Sequence, residues 1–234
     1  GKYFALAQGF EEDVANSISE HYLPTGLTSA IPKKPFSYSI AIVDKIDSLV
    51  GFFLINEKPT SSKDPFALRR SAIGLLRIII ENKLSIRLRD LINYAIRLYE
   101  EQGVETINEK TEVEVLDFLK ERMKNILKLK NIKTDIIEAS ISSHTSDNFL
   151  DLYKKNLLMN KYINKDVGIN AISSYKRASN ITEKAEKEIV GRPDAVLFRT
   201  EEEKILFEKI NEIRKAFTVK ESNKDYENLL IRLS

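Results

Sequence analysis

The sequence predicts an all-α protein of two helical domains, and three observations carry that prediction. Apolar residues recur at three- and four-residue spacing along most of the chain, while no stretch sustains the alternation of a half-buried strand. Glycine is sparse, eight in 234 residues, and five of the six prolines lie before residue 66. Backbone breakers are therefore confined to a few places, and long stretches downstream are free to be helical.

Taken in order, EEDVANSISEHYL spaces Val14, Ile18 and Tyr22 as a short amphipathic helix that stops at Pro24. TGLTSAIPKKP follows as a loop, then FSYSIAIVDKIDSLVGFFLI as a long helix and NEKPTSSKD as a second loop. Asp64 and Pro65 form a helix start, with Asp as acceptor for orphan N–H groups and Pro at the first helical position, where no hydrogen bond is lost. SIRLRDLINYAIRLYEEQG carries Leu88, Leu91, Ile92 and Ala95 on one stripe and ends at Gly103, a C-terminal stop. Beyond Gly103 the chain becomes richer in Lys, Glu and Asn, so the boundary is set there: residues 1–103 and 104–234. In the second part, VEVLDFLKERMKNILKLK turns Val113, Leu116, Leu119, Met123, Ile126 and Leu127 inward. Four further amphipathic segments follow, ending with RTEEEKILFEKINEIRKAF.

Composition narrows the chemistry. With no cysteine, disulfides and thiolate sites are excluded, and two histidines leave little for imidazole-based catalysis. Lys plus Arg total 37 against 35 Asp plus Glu, so a basic surface requires segregated charge, not excess. Asp44, Lys45, Asp47 and Arg77 interrupt the longest apolar stretches, which are too short to span a bilayer. Lack of cysteine fits the cytoplasm.

The segment PTSSKDPFALRRSAIGLLRIIIE places guanidinium groups in an otherwise apolar helix. At about 100° per residue, Arg70 and Arg77 align on one narrow polar sector. Lys63 extends that line before the helix start. The resulting ridge is suited to phosphate contact or to being a solvated face. Arg69 instead falls within the apolar arc and needs a partner if buried. Asp44 shares a face with the small residues Ala41, Ser48 and Gly51, so an approaching helix would bring Arg69 to Asp44 or Asp47. The alternative is an arginine that snorkels at the helix end. Downstream, SSYKRASNI supplies Tyr175, Lys176, Arg177 and Asn180 within a turn and a half, the mixture that stacks on bases and pairs with RNA; Tyr175 and Ile181 fit a core equally well. Arg122, Lys124, Lys128, Lys130 and Lys133 form a second basic ladder or a solvated face.

These blocks, EHYLP, VDKIDSLVGFF, KPTSSKDPFALRRSAIGLLRIIIENKL, FLKERMKNIL, DIIEAS, SYKRASNI and EEEKILFEKI, together resemble the beta subunit of bacterial heterotetrameric glycyl-tRNA synthetase across essentially the whole chain. The resemblance implies the later portion of an HD-like helical domain over 1–103. It implies an anticodon-binding bundle of the DALR-like kind from 104, truncated at its end and so exposing an apolar patch. It implies a C-terminal fragment of a longer polypeptide that binds and positions tRNA(Gly) without catalysing. Catalysis, with ATP and Mg, is then expected on the alpha subunit, in an assembly of two alpha and two beta subunits. Lys63, Arg70, Arg77, Arg122, Lys124, Tyr175, Lys176, Arg177 and Asn180 are the candidate tRNA contacts. No cofactor is expected in this chain.

Two other readings come from different classes. His21 and Asp44 resemble the later His and final Asp of a metal-dependent HD phosphohydrolase, with Glu20 or Asp47 nearby, but two ligands rarely hold a metal alone. His144 lies far downstream. A helical scaffold joining subunits is the third reading.

Overall fold

In the computed structural model, the described residues are 1–60, 62–104, 108–143, 147–183 and 193–218. Every regular element among them is helical. The helices are α1 (Lys2–Ala7), α2 (Glu12–Glu20), α3 (Pro35–Leu54), α4 (Leu68–Glu81), α5 (Leu88–Glu101), α6 (Thr111–Lys128), α7 (Thr134–Ser143), α8 (Phe149–Tyr162), α9 (Asp166–Glu183) and α10 (Glu201–Thr218), with one 3-10 turn at Ala195–Leu197. None is long and apolar enough to cross a membrane.

The chain divides by packing into residues 1–156 and 157–234. The first unit is organised around α3, against which α2, α4, α5 and α6 all pack. Leu49, Val50, Leu68, Leu75, Leu76, Ile78, Leu88, Leu119 and Met123 have no exposed surface. Each such side chain contributes roughly 1.5–3 kcal/mol on leaving water. The composition shift near 103 does not coincide with the break in packing. Helix α6 lies beyond that shift, yet it packs on α3, α4 and α5.

Local chemistry explains the start of α4 and the end of α5, the first with a displacement. Helix α4 begins at Leu68, not Pro65. Asp64 still caps it, but across an intervening turn: its two carboxylate oxygens accept from the N–H groups of Leu68 (2.8 Å) and Arg69 (3.1 Å). Ala67 enters the helix in the left-handed region, φ 56°. Phe66, in the same turn, stacks on Phe52 with ring centres 3.9 Å apart. That anchor turns the backbone aside before the helix can start. Gly103 ends α5 as expected. At φ 78° it donates to the Glu100 carbonyl (2.9 Å), and Val104 donates to that of Tyr99 (3.0 Å), which closes a Schellman motif. On α5, Leu88 and Ile92 are buried, while Leu91 and Ala95 are half-buried. On α6 the inward set holds except at Val113, which is 55% exposed; Val115 is buried in its place because it lies one turn before Leu119 and two before Met123.

The small face of α3 does receive a long side chain, but from α5. A Cβ on Gly51 would stand 2.5 Å from the Tyr99 phenol oxygen. The Tyr99 hydroxyl donates to the Asp47 carbonyl at 3.2 Å. Burial, reinforced by Asp47, pushes the phenol up to about 12. The folded value lies above the ordinary one of about 10. Its stabilising contribution is therefore complete below pH ~10 and lost as the pH rises towards ~12. Denaturant unfolding across that interval is expected to show stability falling with pH, and Tyr99→Phe to remove this part of the slope. An unchanged slope in the variant would contradict the assignment.

Candidate nucleic-acid interface

The basic ridge expected on α4 separates into two kinds of arginine. Arg70 is exposed, and its guanidinium has no partner among the described residues. The Lys63 side chain is likewise exposed, while its backbone closes a turn with Thr60. Arg77 is not available in the same way. Its side chain is only 12% exposed, with Nε donating to Glu81 Oε1 at 2.7 Å and a terminal nitrogen donating to the Gly26 carbonyl at 2.7 Å. The shared polar sector was correct in direction, but the 24–32 loop lies over the Arg77 end of it and takes up the guanidinium.

Arg69 also departs from expectation. Its guanidinium donates to the Thr60 carbonyl in the preceding loop, and it makes no ion pair with Asp44 or Asp47. The side chain is half-buried and turns back along its own chain, so no carboxylate is needed to hold it.

The buried cation of this unit is instead Lys45, 3% exposed, whose ammonium donates to the His21 carbonyl at 3.0 Å. That carbonyl closes the C-terminal end of α2, where a positive charge is favoured. Burial lowers the pKa of Lys45, and the adjacent Asp44 charge partly offsets this. The sequence did hold a signal for it. Lys45 falls between Ala41 and Leu49 at four-residue spacing, on the apolar stripe.

His21 Nδ1 lies 2.9 Å from the Ile18 carbonyl and its ring meets the face or edge of Tyr22 at 90°. Among the described residues no three His, Cys, Asp or Glu side chains converge to hold a metal. His144 lies outside the described residues.

On α6, Arg122 covers the Phe118 ring at 4.8 Å, and its Nε is buried without a hydrogen bond. Lys124 bridges Glu121 (2.8 Å) and Glu138 (2.9 Å), and those two hydrogen-bonded carboxylates raise its pKa. Both therefore have intramolecular contacts, whereas Lys128, Lys130 and Lys133 are exposed.

In the second unit, α9 exposes Tyr175, Lys176, Arg177 and Asn180, with 73% of Tyr175 open to solvent; at about 100° per residue Arg177 falls on the side of the helix away from Tyr175. Tyr175 and Ile181 were both candidates for a core, and both are exposed. So are Ile169 and Ile172 on α9, and Ile205, Leu206 and Ile210 on α10.

The fold and these side chains define an all-helical protein with, among the described residues, cations that have no partner and a solvent-facing aromatic on its helices. A family profile described as glycyl-tRNA synthetase beta subunit matches residues 1–142. The chain is 40% identical over its whole length to the glycine--tRNA ligase beta subunit of Rickettsia canadensis, covering 34% of that protein. It is 38% identical to those of Rickettsia africae and Rickettsia conorii, covering 33% of each. This chain belongs to the glycyl-tRNA synthetase beta subunit family, and it spans about a third of the length of the curated relatives it matches.

Proposed function

We propose that this chain is a tRNA-binding and positioning part of a glycyl-tRNA synthetase. The observation that carries the reading is the α9 cluster. An aromatic ring left 73% in water contributes little to a core, but it suits base stacking, and Lys176, Arg177 and Asn180 are exposed on the same helix, where the cations can reach phosphates as the chain of an RNA wraps past it. Family membership supports an RNA partner: the relatives are named as beta subunits of a ligase of glycine and tRNA. In this reading α9 meets the anticodon arm. Arg70 and Lys63 meet the tRNA elsewhere or face the rest of the synthetase. The chain itself does not catalyse, and ATP, Mg and the adenylate chemistry belong to an alpha subunit in an assembly of two alpha and two beta subunits.

Titration of the chain with tRNA(Gly) at several salt concentrations tests this. Affinity is expected to fall steeply with ionic strength, because each neutralised phosphate releases counterions. Tyr175→Ala is expected to weaken binding by roughly 1–3 kcal/mol, the stacking contribution. Lys176→Ala or Arg177→Ala should reduce the salt slope by about one. Binding that ignores salt and tolerates all three changes would exclude the reading.

A further inference from the structure

Where the end of α2 meets α3 and the start of α4 there is a pocket of about 200 Å3, lined by Tyr22, Asp44, Lys45, Ala67, Arg70 and Ser71 among others. It is below the size range of drug-like ligand sites, so only a small group or one part of a larger molecule fits it. Its charges are unusual. Asp44 and Arg70 both line the opening, and neither side chain makes a hydrogen bond or ion pair among the described residues, although the Asp44 charge acts on the adjacent Lys45. The Lys45 ammonium is already committed to the His21 carbonyl. Tyr22 stands at the pocket with 56% of its surface exposed.

A simple anion would meet Asp44, and a simple cation would meet Arg70. The arrangement suits a neutral ligand with acceptors along one edge and donors along another. Guanine has both: O6 and N7 accept from a guanidinium, and N1–H with the N2 amine donates to a carboxylate. Adenine places an amino donor beside N7, and a guanidinium has no acceptor to offer it. Unstacked RNA bases are bound in this way, with an aromatic ring against the base plane. We infer that this pocket seats one unpaired guanine base of RNA, with Arg70 reading the O6/N7 edge, Asp44 the N1/N2 edge and Tyr22 the face. The inference rests on the proposed RNA-handling role and gives one part of it a base preference.

The test is fluorescence anisotropy of the 234-residue chain with labelled oligouridine strands carrying one central guanosine, adenosine, inosine or 7-deazaguanosine. Guanosine is expected to bind about tenfold or more tighter than adenosine, the scale of one good bidentate contact. Inosine lacks the N2 amine and 7-deazaguanosine lacks N7, so each should bind more weakly than guanosine. Arg70→Ala should abolish the preference over 7-deazaguanosine, and Asp44→Asn that over inosine. Because the base changes probe the unaltered chain, a variant that fails to fold does not decide the matter. Equal binding of guanosine and adenosine strands would overturn the inference, as would displacement by free glycine but not by GMP. tRNA(Gly) binding with no guanosine preference removes this pocket and leaves the proposed function standing. A guanosine preference without tRNA(Gly) binding does the reverse.

Discussion

Lys45→Ala is expected to lower unfolding free energy by about 3 kcal/mol, combining a vacated apolar space with an orphaned buried carbonyl. The lysine stem fills tight space. A Cβ added to Gly74 would stand 2.9 Å from Lys45 Cε and 3.3 Å from Pro24 Cδ, so α4 approaches α3 with the aliphatic chain between them. Alanine empties that space and leaves the His21 carbonyl without its donor. Lys45→Met refills it and removes the ammonium, so it should cost only about 1 kcal/mol. The two variants also differ from the parent in pH dependence. Burial depresses the Lys45 pKa below 10.5, so between that lowered value and 10.5 the unfolded chain binds more protons than the folded one. Stability therefore rises with pH through this interval as the cost of a desolvated cation disappears. Both variants should lack that rise. Denaturant titrations at neutral and alkaline pH check it, and Lys45→Ala as stable as the parent would sink the packing argument.

Arg77→Ala is expected to cost about 2–3 kcal/mol while leaving RNA affinity unchanged in the folded protein. Hydrogen bonds to charged groups contribute roughly 1.5–3 kcal/mol each. The Glu81 arm counts for less because that carboxylate is 39% exposed and screened. The larger part comes from the Gly26 carbonyl, which ties the 24–32 loop to α4 from 51 positions away. Arg77→Lys should recover only part of the loss, since one ammonium does not reproduce the geometry of a guanidinium reaching both partners. Arg70→Ala should behave oppositely, with a small stability change, because the side chain is exposed and unpaired, and weaker RNA binding. Thermal unfolding combined with tRNA titration below the melting range separates the two. Parallel losses of tRNA affinity in both variants would restore a continuous ridge.

The contrast between these arginines shows what the sequence could convey. Helical phase placed Arg70 and Arg77 on one sector, and both do lie on α4. Phase does not contain the 24–32 loop, which crosses one and leaves the other open. The small-residue face of α3 was legible as a site of close approach, since Ala41, Ser48 and Gly51 leave room for a neighbour. The guest was Tyr99 from α5 rather than Arg69, because Arg69 finds the Thr60 carbonyl within its own connecting loop. Asp64 was legible as a cap, whereas the turn it spans depends on Phe66 docking on Phe52.

By itself the sequence determined the helical class, the stripes that build the first core, the Gly103 stop and the blocks that mark the family. These follow from periodicity and backbone stereochemistry, which act over a few residues. Which charged groups are buried, paired or free was decided only in the tertiary structure. Lys45 is buried at the end of α2, Arg77 is held by a distant carbonyl, and Arg70 and Asp44 are left open on one pocket. The hydrogen-bond partners of Lys45 and Arg77 lie 24 and 51 positions away, and only folding brings those segments within about 3 Å.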